Sequence, residues 1–109
     1  RQKLMLHWKG CAVTQYSELR LLVASHIKPW SISSNAERLD PFNGLLLLPN
    51  LDRAFDRGLI SFDPKGRVLI SPQLPEPQKL GISAEMKAHL QDRHQAYMAY
   101  HRESVFLAQ

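Results

Sequence analysis

The chain has 109 residues, 44% hydrophobic, 22% charged and 8% aromatic, with one cysteine and a formal charge of +4. That length accommodates one domain, and the apolar fraction excludes a disordered chain. The lone Cys11 excludes an internal disulfide and a zinc site built from paired cysteines, and runs such as Leu45–Leu48 fall far short of the ~20 residues of a membrane helix.

The start, Arg1-Gln2-Lys3, has neither an initiator Met nor a signal-peptide pattern, so residues 1–109 read as one domain of a longer, cytoplasmic protein. Gln2 to Lys9 carries Leu4, Met5 and Trp8 at helical spacing, ended by Gly10. Cys11 to Thr14 is short and β-prone, and Gln15 to Glu18 reads as a turn. Leu21 to Ala24 is a strand that runs into Ser25-His26 and is stopped by Pro29, which lacks an amide for the ladder. Lys28 to Phe42 has loop composition. Asn43-Gly44 makes a turn into the extended Leu45–Leu48, and Pro49-Asn50 starts a short helix with Gly58 as its C-cap. Leu59 to Phe62 and Arg67 to Ser71 form a hairpin around Asp63-Pro64-Lys65-Gly66. Pro72 to Gly81 is irregular, and a long helix runs from the Ser83 N-cap to about His101, with Met86, Leu90 and Tyr97 close to one face. The order predicts a small α+β domain.

Fourteen Lys and Arg against ten Asp and Glu suit a polyanionic partner, although the basic residues are scattered and a mildly basic surface explains the balance equally well. His89, His94 and His101, in the predicted C-terminal helix, read as solvent-facing or helix-packing residues, and His7 likewise. His26 differs, because a strand end presents it before a loop. Asn43 follows 17 residues later, Asp52 nine after that and Asp56 four further on. One helical turn apart, Asp52 and Asp56 share a face on which two carboxylates can hold one hard cation. The same spacing also fits a solvated face, since Arg53 and Arg57 alternate with the aspartates.

Three motifs in order, Ala24-Ser25-His26-Ile27-Lys28-Pro29-Trp30, Asn43-Gly44-Leu45-Leu46-Leu47 and Leu51-Asp52-Arg53-Ala54-Phe55-Asp56-Arg57-Gly58-Leu59, resemble an HNH endonuclease domain of the restriction-type subgroup. Cys11-Ala12-Val13-Thr14 and Tyr100-His101-Arg102-Glu103-Ser104-Val105-Phe106 resemble that subgroup's opening and ending, so the likeness covers nearly the whole chain. It implies a ββα-metal core (residues 11–71) with an extra β-hairpin and flanking N- and C-terminal helices. It also implies metal-dependent hydrolysis of DNA phosphodiesters in a restriction or defence setting. His26 takes the place of the general base and Asn43 that of the residue bracing the loop and orienting the histidine. Asp52 and Asp56 take metal-ligand places, and their oxygens favour Mg²⁺ or Mn²⁺. Lys28, Arg53 and Arg57 are placed to meet phosphates. DNA is the implied partner, with a separate target-recognition domain in the full-length protein. A homodimer would account for cutting both strands, and the sequence leaves that open. Ser25 and Asp52 stand where many members carry other metal ligands, and they define the alternative: a degenerate module that binds nucleic acid without cleaving it. Trp8 and Trp30 read as core or loop-packing residues, and Cys11 as a small buried one.

Overall fold

The computed structural model describes residues 2–109. Its first layer is helix α1 (Gln2–Trp8), which buries Leu4 and closes at Lys9, a residue with positive φ (61°). Strand β1 (Val23–His26) pairs antiparallel with β2 (Gly44–Leu47), matching Val23 with Leu47 and His26 with Gly44. Helix α3 (Pro49–Asp56) follows β2 directly and packs against β1, while α1 packs against β2. With helices on both sides, β2 has no solvent face. That is why Leu45, Leu46 and Leu47 are all fully buried and form a continuous apolar run rather than an alternating one.

Gly44 fits this layering because α1 lies almost on it: a Cβ there would come 2.5 Å from Leu4 Cδ2. The Trp8 indole donates to the Gly44 carbonyl at 3.1 Å and fixes the same contact from the other end of the helix. Helix α3 ends as Gly58 predicts. Leu59 N–H reaches Ala54 O (2.8 Å) and Gly58 N–H reaches Phe55 O (3.1 Å) around a left-handed glycine with φ of 73°. Strands β3 (Ile60–Phe62) and β4 (Val68–Ile70) then form the expected hairpin, whose turn is tied by the Asp63 carboxylate to the amides of Lys65 and Arg67.

Three expectations are corrected. Cys11–Thr14 is a turn, because its polar groups close locally (Gln15 N–H to Cys11 O, 2.9 Å), leaving only Ala12 N–H to reach Leu46 O. The 28–42 stretch is not an irregular loop. It contains helix α2 (Asn35–Leu39), opened by a reciprocal cap between Ser34 and Glu37, and 3₁₀ turns at Trp30–Ile32 and Pro41–Asn43. The long C-terminal helix starts late, since α4 covers Gln95–Ser104 only. Residues 83–94 instead run along the hairpin, where Val68 N–H donates to Met86 O and Ala88 N–H to Gly66 O, so the edge of β4 takes groups a helix would have used internally. Of the two roles expected for His94 and His101, both take the packing one and are fully buried.

His101 fastens α4 to the rest of the fold. Its ring stacks on Phe55 with centroids 3.8 Å apart. A carbonyl can only accept, so Nε2 carries the proton donated to Phe55 O (2.8 Å) and Nδ1 accepts from the Ser61 hydroxyl (2.8 Å). The result is a small α+β fold of two antiparallel strand pairs and helices. Among the described residues no helix is long and apolar enough to cross a membrane.

Candidate active site

Strand alternation decides what β1 presents to each side. Ser25 turns to the α3 side, where it is buried beside Asp52. Ala24 and His26 turn to the α1 side, where both line a cavity of about 500 Å³ between α1 and the 28–43 segment. The His26 ring is half-buried, meets Trp30 edge-to-face (centroids 5.2 Å apart) and makes no hydrogen bond among the described residues. Both nitrogens are therefore available to an incoming molecule.

Asn43 is buried and braces the loop. Its Oδ1 accepts the Lys28 amide at 2.7 Å, and its Nδ2 reaches Glu37 O (3.2 Å), Ser33 Oγ (3.4 Å) and Lys28 O (3.5 Å). Its own carbonyl accepts the Ile27 amide at 3.2 Å. All of these bonds run to the segment that follows His26 and none to the imidazole, so Asn43 acts on the path of the chain. Lys28 belongs to the same brace, with its ammonium 2.9 Å from Glu37 and 5.5 Å from the Tyr100 ring centroid.

On the other side, Asp52 is half-buried. Burial pushes its carboxyl above the usual carboxylate range. The Ser25 hydroxyl opposes that shift, the Asp56 charge adds to it, and Arg53 opposes it. The Ser25 hydroxyl faces Asp52 yet completes no hydrogen bond, a buried polar atom left without a partner. Asp56, Arg53 and Arg57 are exposed on α3, and neither arginine has an ion-pair partner among the described residues.

The structure thus brings Asp52, Asp56 and Ser25 together on one side of β1 and sets His26 on the other. Among the described residues, no three His, Cys, Asp or Glu side chains gather closely enough to hold a metal ion. The oxygen donors that act on Asp52 are the exposed Asp56 carboxylate, through its charge, and the buried Ser25 hydroxyl. This all-oxygen set fits a hard cation whose remaining ligands are water or phosphate oxygens, and it does not fit zinc. Sequence reading missed Arg38, whose guanidinium lies 4.6 Å above the exposed Trp30 ring. The signal was the Ser34-to-Glu37 capping pattern, which predicts a helix and so places Arg38 on a rigid element.

Comparison with protein families supplies the class. Residues 11–63 match the HNH endonuclease family. The match supports an HNH endonuclease domain over that stretch, and His26, Asn43, Asp52 and Asp56 all lie within it. No curated protein matches the chain.

Proposed function

We propose that this domain hydrolyses DNA phosphodiester bonds with the aid of Mg²⁺ or Mn²⁺, using β1, β2 and α3 as a ββα-metal core. The observation that carries the reading is the end of β1: a half-exposed imidazole with both nitrogens free, next to a residue whose orphaned hydroxyl faces Asp52. A scissile phosphate laid across that strand end meets both faces at once. His26 takes a proton from the attacking water as the water oxygen bonds to phosphorus and the bond to the leaving oxygen breaks. Asp52, with Asp56 and the Ser25 hydroxyl, would hold the cation, which when bound offsets charge on the phosphate and leaving oxygen. Arg53 and Arg57 meet flanking phosphates. Lys28 serves the loop first, because Glu37 neutralises its charge. The restriction-type motif pattern makes defence against foreign DNA the setting we assign.

The test is nicking of supercoiled plasmid with Mg²⁺ or Mn²⁺. His26→Ala should lower the rate by about 10²- to 10⁴-fold, the usual worth of a positioned general base, while its melting temperature stays close to that of the parent. The second reading, a module that binds DNA without cutting, is favoured by the absence of a three-ligand cluster among the described residues. DNA binding with no nicking in either metal would establish it and overturn the first.

A further inference from the structure

The cavity on the α1 side of β1 contains more than His26. Trp30 keeps 54% of its surface exposed at the rim, in a segment pinned by Asn43 at the Lys28 amide. Arg38 covers the indole at 4.6 Å, donates from Nε to the Trp30 carbonyl at 2.9 Å and reaches Asn35 Oδ1 at 3.4 Å, with no carboxylate paired to it among the described residues. Lys3 brings a second cation from α1. Asp40, the one acidic residue on the wall, is turned to internal partners: it accepts from the Tyr97 hydroxyl (2.7 Å) and the Phe42 amide (2.9 Å).

A rigid, solvent-facing indole–guanidinium stack with unneutralised cations, sharing a cavity with a free imidazole, is a poor hydrophobic core. It is well suited to a flat, anionic ligand. Bases stack on indole and guanidinium planes alike, and the attached phosphate is drawn to the cations. A volume of about 500 Å³ lies within the range of small-ligand sites. We infer that this cavity is a nucleotide subsite: it takes one unstacked nucleotide of the DNA strand next to the scissile phosphate, with the base against the Trp30–Arg38 stack and the phosphate toward Arg38 and Lys3. The inference rests on the nuclease reading for its location beside His26, but it makes its own claim about binding.

The experiment is fluorescence anisotropy of a labelled thymidine octamer titrated with the protein in EDTA, where no cleavage occurs. Trp30→Leu, which keeps apolar bulk but loses the aromatic face, and Arg38→Gln should each weaken binding about 5- to 150-fold, the range that corresponds to loss of one stacked base. Trp30→Phe should restore most of the affinity, and Lys65→Gln, the same loss of charge on the distant β3–β4 turn, should change it less than twofold. If Trp30→Leu fails to fold, Arg38→Gln and Trp30→Phe carry the comparison. Unchanged affinity in Arg38→Gln and Trp30→Leu, an effect as large in Lys65→Gln, or no octamer binding by the parent protein would each overturn the subsite. Octamer binding that depends on Trp30 and Arg38, without plasmid nicking in either metal, would leave the subsite standing and overturn the cleavage reading. Nicking with affinity insensitive to both residues would do the reverse.

Discussion

The Asn43 side chain serves four groups of one segment: the Lys28 amide, the Lys28 and Glu37 carbonyls and the Ser33 hydroxyl. Buried polar groups that lose their partner keep their desolvation cost, about 1–3 kcal/mol each. Asn43→Ala should therefore lower stability by at least that amount, read from the urea midpoint. Asn43→Asp should also destabilise, because it keeps the acceptor for the Lys28 amide but sets a carboxylate oxygen against the Glu37 carbonyl. A midpoint unchanged in both variants would show that the loop holds itself. The sequence singles out Asn43 by its place in the motif pattern, but its partners were not legible there. Which amide a side chain reaches across 15 residues depends on the path of the intervening chain. Lys28 shows the same limit: its charge is visible in the sequence, while the Glu37 carboxylate that neutralises it comes near only through the cap of α2.

Among the elements, those with chemical punctuation were readable. Pro49 and Gly58 bound α3 as their types predict, and the Asp63–Gly66 turn fixes the hairpin. Gly58 has an added duty, since its φ of 73° favours glycine and a Cβ there would collide with the Val105 carbonyl. Gly58→Ala should cost more than the ~1 kcal/mol of a simple conformational penalty, and the loss should appear as early exchange of the amides joining α3 to the C-terminus, such as Leu107 N–H to Gly58 O. Protection unchanged at Leu107 would refute that coupling. The two misread stretches failed for different reasons. Helix α2 had its capping pair in plain view, but the polar composition around it favours a loop. Residues 83–94 carry adequate helical spacing, and only the open edge of β4, which supplies partners for Met86 and Ala88, draws them out of a helix.

At the scale of the molecule, two buried histidines tie stability to pH. Burial lowers both His94 and His101 from 6.5 to about 4, with His7 adding to the shift at His94 while hydrogen bonds to Gln91 and Phe55 oppose it at the two rings. The unfolded chain therefore binds protons below pH 6.5 that the native state refuses until about pH 4. Stability is full above about 6.5 and falls as pH drops through that window, by up to about 3 kcal/mol per ring at 1.36 kcal/mol per pH unit. Urea unfolding at pH 7.5 and 5 should show the loss, and His101→Gln should flatten the slope; equal stability at the two pH values would mean that neither ring is held neutral. His94 also joins α1 to the C-terminal region, stacking on Trp8 at 5.3 Å and lying 5.1 Å from Phe42, so acid weakens that junction along with the core.

Taken by itself, the sequence determined the class of fold, the order of its punctuated elements and the positions of His26, Asn43 and Asp52, because caps, turns and motif spacings are local and act within a few residues. The tertiary structure alone decided which side of β1 each group faces. Helices on both sides of a two-stranded sheet separate His26 from Asp52 and leave Ser25 without a hydrogen-bond partner, and they enclose a cavity that Arg38 and Trp30 complete. Those relations depend on contacts between distant residues, and hydrophobic packing of α1 and α3 onto the sheet is the force that sets them.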